Sequence, residues 1–357
     1  MREQTRHTMG AALAAAVAMV WLLGGAGQEE ACPAAVETAL PLEQRVLIPG
    51  GLAVGVALKT DGVLVVAKAG QSARQTPLRV GDVILAVEGK QTGSAKMLAQ
   101  MISQAQEDSV ELSVLRENKT LTLRASALPS GADGRRSLGV WVRDSTAGVG
   151  TLSYIDPVTG AYGALGHAIV DADTGSMLEV EDGAIMNARI TGVTKGRSGS
   201  AGELQGSFLK ENQQIGTLKL NSVYGIYGAM DETPGALLYP QGLPVGRRAD
   251  MHTGAATLIA TVDDGGPQEY DIEITRCFAQ NEPDQKGMIL RVTDPRLIEK
   301  TGGIVQGMSG SPIIQDGKIV GAVTHVYLSD ASRGYGMYIE WMLEQSDRIR
   351  PQSDLAA

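Results

Sequence analysis

Apolar and polar residues alternate over short stretches along most of this chain, a pattern that predicts β-strands rather than long helices. Residues 110–116 and 120–124 alternate in this way and are separated by a short polar turn, which predicts a β-hairpin. From residue 138 onward, similar runs recur between glycine-rich turns, for example at 216–223, 256–262 and 318–325. Many short strands with regular turn residues between them predict a barrel or a sandwich.

Helical periodicity is confined to a few segments. Residues 94–106 place five apolar residues at the spacing of one helical face: Met97, Leu98, Met101, Ile102 and Ala105. Shorter helices are predicted at 295–301 and near 339–349. The chain is therefore expected to be mainly β with some α.

The N-terminus differs from the rest of the chain in its hydrophobicity. Arg2, Arg6 and His7 precede a run from residue 9 to residue 26 that carries no charge. A basic start followed by an apolar stretch is typical of an export signal, and this run is close to the shortest length that can span a membrane. Residues 1–26 are therefore predicted to be either a signal peptide or a retained signal anchor. An acidic, alanine-rich linker is predicted at 27–45.

Composition narrows the possible classes of function. The 45 glycines among 357 residues agree with a β-rich fold that has many tight turns. The net charge of −9 argues against nucleic acid as a partner, because phosphate binding needs a basic surface. Two cysteines, Cys32 and Cys277, are too few for a disulfide framework. The four histidines form no short cluster with cysteines, so no metal and no other cofactor is predicted.

The first half of the chain carries the pattern of a peptide-binding module. Residues 78–89 contain the order Leu-x-x-Gly-Asp-x-Ile and resemble a PDZ domain, although Glu88 stands where that family usually has Asn or Asp. The predicted peptide-binding loop and its following strand begin at Gly50, Gly51, Leu52, Ala53 and Val54. Backbone N–H groups of a glycine loop can hold a C-terminal carboxylate, and an exposed strand edge can pair with an extended peptide. A PDZ domain is therefore predicted at 46–128, with a linker at 129–137.

The second half contains a glycine-rich turn around a serine, with the order Gly307-Met308-Ser309-Gly310-Ser311-Pro312. Such a turn is typical of trypsin-like proteases. Its glycines let the backbone bend sharply, so that the N–H groups of Gly307 and Ser309 can face a developing oxyanion. Ser309 is the predicted nucleophile. Ser311 is the alternative, but it precedes a proline and is expected to form the wall of the turn.

A serine hydroxyl needs a base, and His167 is the predicted one. It lies between Gly166 and Ala168 at the end of a strand-like segment, and it precedes the serine in the chain as in trypsin-like enzymes. His325 is the rival, because it follows the nucleophile turn in the next predicted strand. His252 is a weaker candidate, because no apolar strand surrounds it.

The third member of such a site is an acid that orients the imidazole, and the residues alone do not select it. Asp294 follows a predicted strand, but its position before Pro295 is equally typical of a helix N-cap. The other aspartates near predicted strand ends are Asp171, Asp173, Asp263, Asp264 and Asp316.

Taken together, these motifs resemble the SpoIVB peptidase family of PDZ-containing serine endopeptidases. The resemblance extends over residues 45–345 and is most specific at 301–326 and 334–342. It implies a PDZ-like α/β domain followed by a trypsin-like double β-barrel protease domain at 138–357. It also implies that the catalytic triad consists of His167, Asp294 and Ser309.

The same resemblance implies a role. Members of this family are exported into the space between the two membranes of the developing spore, and they cleave themselves near the N-terminus. They then cleave a membrane-bound regulator of an intramembrane protease, which leads to activation of a sigma factor. The PDZ domain is implied to guide self-cleavage and to bind a partner peptide or C-terminus.

Two other functions fit the motifs. One is a PDZ adaptor with a catalytically inactive protease-like domain, which the presence of His167, Asp294 and Ser309 argues against. The other is a broad quality-control protease, but such enzymes usually place the protease domain before the PDZ domain.

Overall fold

The computed structural model describes residues 40–69, 76–117, 119–130, 135–208 and 214–349. The predicted export segment at 1–26 and most of the predicted linker at 27–45 lie outside the described residues. Within the described part of the chain, no helix is both long enough and apolar enough to cross a membrane.

The first ten strands in chain order are β1 (Val46–Pro49), β2 (Ala53–Lys68), β3 (Val83–Val87), β4 (Lys90–Gln91), β5 (Ser109–Arg116), β6 (Lys119–Ser126), β7 (Leu128–Ser130), β8 (Arg135–Ser137), β9 (Val140–Ile155) and β10 (Ala161–Ala164). The remaining strands are β11 (Val180–Thr194), β12 (Glu203–Phe208), β13 (Gln214–Ser222), β14 (Gly225–Met230), β15 (Leu243–Pro244), β16 (Gly254–Ala260), β17 (Gln268–Cys277), β18 (Met288–Val292), β19 (Pro312–Gln315), β20 (Lys318–Val326) and β21 (Arg333–Tyr338). The α-helices are α1 (Ala95–Ser103), α2 (Pro295–Thr301) and α3 (Ile339–Ser346), and short 3-10 helices lie at Leu42–Gln44, Arg248–Asp250 and Asp347–Ile349.

A PDZ-like unit is formed by α1, strands β3 to β6 and the second half of β2. The Ser94 hydroxyl caps α1 by accepting a hydrogen bond from the N–H of Met97. The helix turns Leu98 and Ile102 into the core of this unit, as its predicted apolar face requires. Alternate residues of β5 are buried on the same core, which explains the alternation in its sequence.

The first barrel consists of six strands in the order β9, β10, β14, β13, β11 and β2. The ring closes because β2 pairs with β9 as well as with β11. The second barrel is closed in the order β16, β17, β18, β21, β20 and β19. It holds the largest apolar core of the described residues, and α3 packs against it.

The PDZ-like unit and the first barrel share two strands. Residues 53–59 of β2 pair with β9 and β11 in the barrel, whereas residues 63–68 pair with β9 and, at 63 and 64, also with β3 of the PDZ-like unit. The PDZ-like unit is therefore inserted after the first strand of the barrel, and the predicted division into 46–128, 129–137 and 138–357 does not follow the hydrogen bonding. The predicted linker itself contains β7 and β8, which pair with each other.

A buried charge cluster joins the two ends of the described chain. Arg45 is almost fully buried and donates to Asp156 at 3.0 Å and to Asp347 at 2.9 Å. Nearby, the Tyr154 hydroxyl of β9 donates to Ser346 of α3 at 3.0 Å. These contacts fix the C-terminal helix against the first barrel, because a buried guanidinium needs its partners to remain charged.

Candidate active site

A cleft of about 750 Å³ lies between the two barrels. The first barrel lines it with part of β9 and with the segment after β10, including His167, and β12, which pairs with β11 outside the ring, lines it as well. The second barrel contributes the segment before β19, including Gly307 and Ser309. The predicted base and the predicted nucleophile therefore face the same cleft, although they lie 142 positions apart in the sequence (309 − 167 = 142).

The nucleophile turn depends on two glycines with left-handed backbone. Gly307 has φ +94° and Gly310 has φ +96°, a region that side chains with a Cβ rarely adopt. A Cβ on Gly310 would also lie 2.2 Å from the carbonyl oxygen of Thr151. Thr151 in β9 fixes the turn, because its hydroxyl donates to Gly307 O at 2.7 Å and its N–H donates to Ser309 O.

The two predicted oxyanion-hole donors are available. Neither the Gly307 N–H nor the Ser309 N–H donates to another atom within the described part of the chain, whereas the neighbouring N–H groups of Met308, Gly310 and Ser311 all have acceptors. Paired free N–H groups beside a serine hydroxyl can stabilise the oxyanion of a tetrahedral intermediate. Ser311, the alternative nucleophile, is fully buried away from the cleft.

The Ser309 hydroxyl donates to the carbonyl oxygen of Thr324 in β20 at 3.0 Å. It makes no hydrogen bond to His167, whose Nδ1 lies 2.9 Å from Ala168 O. Rotation about the Ser309 Cα–Cβ bond would release the hydroxyl from Thr324. The structure thus places nucleophile and base in one cleft in a resting geometry, which is common for sites without substrate.

The loop that follows His167 is held by buried polar residues. The Asn221 side chain accepts from Ile169 N and donates to Ile169 O and Leu178 O, each at 2.8 Å. This asparagine interrupts an apolar strand pattern, the one sequence signal that could have indicated its role. Nothing in the local sequence of Thr324 indicated that its carbonyl would hold the nucleophile.

Asp171 and Asp173, two candidates for the acid, bind Arg143 of β9 instead of His167. Asp171 is fully buried and also accepts from the N–H groups of Asp173 and Thr174. Burial raises the pKa of Asp171, but these N–H groups and the Arg143 guanidinium outweigh it and hold the pKa below its ordinary value. This pair of aspartates fastens the loop after His167 to the strand shared with the PDZ-like unit.

Asp294 makes no hydrogen bond to His167 in this structure, so the triad role that the family resemblance implies for it stays a prediction. It is the N-cap of α2 and is 2% exposed. Its Oδ1 accepts from Arg296 N at 2.8 Å, and its Oδ2 accepts from Arg296 Nη2 at 2.7 Å and from Asp271 N. The Arg296 side chain is the main cause of the lowered pKa of Asp294. Both carboxylate oxygens are therefore occupied at the start of a helix.

Two of the other aspartates considered, Asp263 and Asp316, have partners elsewhere. Asp263 pairs with Lys300, and Asp316 accepts from His252 Nε2 at 3.0 Å on the surface. Within the described residues, no carboxylate is hydrogen-bonded to His167. The ring of His325 lies beside it, with its centroid 5.9 Å from that of His167.

The variant Asp294→Asn distinguishes a helix N-cap from a catalytic acid at this position. Asparagine caps helices as well as aspartate does, so we expect the variant to fold and to react with a fluorophosphonate probe within about threefold of the parent rate. A triad acid replaced in this way would cost about 10⁴-fold. Asp294→Ala should lower the free energy of unfolding by about 1–2 kcal/mol through loss of the cap. Because the folded-state pKa of Asp294 is lowered, this difference should be largest near neutral pH and shrink as the pH falls through that pKa.

The predicted peptide-carboxylate loop has other partners in the structure. Gly50 N and Gly51 N donate to Ser153 O and Leu152 O, and a Cβ on Gly51 would strike Ile259 of the second barrel. The following residues, Leu52, Ala53 and Val54, lead into the half of β2 that is paired on both sides. These N–H groups therefore cannot receive a peptide, and the strands beside α1 are β3, β8 and β9.

The described residues contain no group of three or more His, Cys, Asp or Glu side chains arranged to hold a metal ion. Cys277 is a free, half-buried thiol whose pKa is raised by burial, and Cys32 lies outside the described residues.

Comparison with known families gives two matches. The model of the SpoIVB peptidase S55 family matches residues 134–343, and the PDZ domain model matches residues 50–126. No curated protein matches the chain.

Three solved structures illustrate what the chain is similar to. The PDZ domain of the SdrC-like protein from Listeria monocytogenes is 20% identical, with 23% of this chain and 87% of that chain covered and a TM-score of 0.21. The active form of the Rv3671c protease from M. tuberculosis is 15% identical, and the match covers 57% of this chain and 74% of that chain with a TM-score of 0.34. A serine-to-alanine variant of the HtrA-type protease AlgW with a decapeptide is 10% identical, and the match covers 84% of this chain and 63% of that chain with a TM-score of 0.36.

The family model covers more than half of the chain, and the cleft that it includes holds a serine turn with two free N–H groups and a facing histidine. The predicted fold class, a mainly β chain with a PDZ domain and a trypsin-like protease domain, is confirmed. This chain belongs to the SpoIVB peptidase S55 family and is a PDZ-containing serine endopeptidase.

Proposed function

We propose that this peptidase is exported, cleaves its own N-terminal region and then cleaves a membrane-associated regulator of an intramembrane protease, which triggers sigma-factor activation during sporulation. Ser309 acts as the nucleophile, His167 as the base and the N–H groups of Gly307 and Ser309 as the oxyanion hole. The observation that carries this proposal is the pair of free N–H groups beside Ser309 in the cleft that also holds His167.

The cleft suits a protein substrate better than a small molecule. It is open to solvent, and it is lined by backbone segments of β9 and β12 together with apolar side chains such as Val149, Leu204 and Phe208. Extended peptides bind such surfaces through main-chain hydrogen bonds and side-chain pockets. Protein cleavage, including cleavage of the chain's own N-terminal region at 27–45, fits this shape.

The connection between the PDZ-like unit and the cleft supports a regulated enzyme. β9 carries Asp144, which accepts from the first N–H of α1 at 2.7 Å, and the adjacent Arg143, which holds the loop after His167. Neighbouring residues of a strand point to opposite faces, so one strand contacts both the PDZ helix and the catalytic loop. A partner bound at the PDZ-like unit would therefore act on a strand that also supports the base.

Self-processing tests this proposal. The full-length chain, purified in detergent, should release an N-terminal fragment that ends within or near residues 27–45, as detected by mass spectrometry. Ser309→Ala should remain intact, and mixing it with the parent shows whether cleavage occurs between molecules. Equal processing of both chains would point to another protease. Active-site labelling without any processing, or without cleavage of a vesicle-bound regulator, would overturn the regulatory role while leaving the endopeptidase in place.

A further inference from the structure

The backbone bends sharply two residues before the proposed base. Leu165 has φ +68°, in the left-handed region, and Gly166 follows with φ +71°. The other non-glycine residues with positive φ in the described part of the chain are exposed acidic residues at hairpin turns, Glu88, Glu117 and Asp316. Leu165 is instead 6% exposed and packs in the apolar core of the first barrel. A bulky residue in this region is strained, and such strain persists only where the surrounding contacts impose it.

Contacts with the second barrel and with β9 hold the backbone of Leu165 in place. Its N–H donates to Thr151 O at 3.2 Å, and the same threonine holds the nucleophile turn through its hydroxyl and its N–H. The turn lies so close to Leu165 that a Cβ on Gly310 would be 2.6 Å from the leucine N atom. A Cβ on Gly166 would be 3.2 Å from Val323 O in β20. The chain that leads to the base is therefore fitted directly against the backbone that carries the nucleophile.

The side chain of Leu165 occupies a space that β9 leaves open at Gly150. A Cβ on Gly150 would lie 1.9 Å from Leu165 Cδ2, and the next nearest atoms are Cγ and Cδ1 of the same leucine. Gly150 therefore makes room for this one side chain. Because Leu165 lies two positions before His167, a displaced leucine would move the backbone that carries the base.

We infer that Leu165 is the positioning residue of the catalytic base. Its side chain, packed on Gly150, fixes the left-handed bend that directs His167 into the cleft. The strain of the bend is offset by burial of the leucine side chain and by the hydrogen bond to Thr151. A misplacement of about 1 Å at a catalytic group can cost about 10²-fold in rate, so a displaced Leu165 should slow the reaction while the chain stays folded. This inference rests on the proposed roles of Ser309 and His167.

The first test fills the space at Gly150, with the rate of Ser309 labelling by a fluorophosphonate measured in the full-length chain. Gly150→Ala should push the leucine side chain away and slow labelling by roughly 10- to 100-fold. Leu165→Ala, which removes that side chain, should slow labelling to a similar extent. In the double variant the clashing carbon atoms are absent, so it should label at the rate of Leu165→Ala and no more slowly.

Two further variants separate positioning from packing. Leu218→Ala removes a leucine of β13 that is buried in the same core, and it should lower the melting temperature as Leu165→Ala does while labelling at the parent rate. Leu165→Met keeps an apolar side chain of similar volume and should restore most of the rate. In Leu165→Ala, the maximal rate constant of labelling should fall, while the half-saturating fluorophosphonate concentration should change by less than about threefold.

Labelling of Leu165→Ala within about twofold of the parent, with the same loss of melting temperature as Leu218→Ala, would overturn the inference. A double variant whose loss is the product of the two single losses would also overturn it, because the change at Gly150 would then act on something other than Leu165. A parent chain that does not label, or a Ser309→Ala variant that labels as the parent does, would instead overturn the proposed catalytic roles on which the inference rests.

Discussion

Replacing Ser309 with alanine should abolish both fluorophosphonate labelling and peptide hydrolysis, with a loss in turnover of about 10⁶-fold. The reason is chemical, because the two free N–H groups of the turn stabilise an oxyanion only after a nucleophile has attacked. The fold should be unaffected, since the side-chain hydrogen bond lost from the described residues is the single one from Ser309 to Thr324 O. Mass spectrometry of the labelled chain measures the first effect, and thermal unfolding measures the second.

Ser311→Ala is the matched control for this change. Ser311 lies two residues away in the same turn, is fully buried, and has a hydroxyl with no partner within the described residues. Removing an unpaired buried hydroxyl is expected to leave stability unchanged or slightly higher. Labelling that survives in Ser309→Ala but is lost in Ser311→Ala would show that Ser311 is the nucleophile.

Gly310→Ala should unfold the nucleophile turn and eliminate labelling. The new Cβ would lie 2.2 Å from Thr151 O and 2.6 Å from Leu165 N, and both are backbone atoms of the first barrel that cannot move independently. The left-handed φ of +96° adds strain for a residue with a Cβ. We expect a loss of about 3 kcal/mol or more in the free energy of unfolding, measured by denaturant titration.

Gly317→Ala isolates the contribution of backbone strain. Gly317 also has a positive φ, +71°, but an added Cβ would have no atom within 4 Å. This variant should lose about 1 kcal/mol and keep its labelling rate. If the two glycine variants lost equal stability, the contact between the turn and β9 would have no part in holding the site together.

Sequence patterns predicted secondary structure and turns best where the interactions that form them join residues close together in the chain. The apolar face of α1, the alternation of β5 and the glycines around Ser309 each depend on residues within a few positions of one another. Asp294 shows the limit of such patterns. Its local sequence fitted both an N-cap and a triad acid, its family resemblance implied the acid, and in the structure its side chain caps α2.

Longer-range features could not be predicted in the same way. Gly50 and Gly51 have the sequence of a carboxylate-binding loop, but their N–H groups are used by β9, a strand that begins about 90 residues later (140 − 50 = 90). Strand β2 is apolar over most of its length and pairs both in the barrel and in the PDZ-like unit. Its sequence did not predict which of its residues would pair in which of the two. Likewise, the proximity of His325 to His167 arises only when β20 is laid against the loop after β10.

The sequence was sufficient to predict the β-rich class, the PDZ-like and peptidase motifs, the nucleophile turn and its facing histidine. These features depend on turn residues and on the spacing of apolar residues, which are both properties of neighbouring positions in the chain. Folding in three dimensions established which N–H groups remain free, which strand serves two units and which side chain lies beside the base. Those outcomes depend on pairing between distant strands, since each backbone group buried in a barrel must find its partner across the fold and not along the chain.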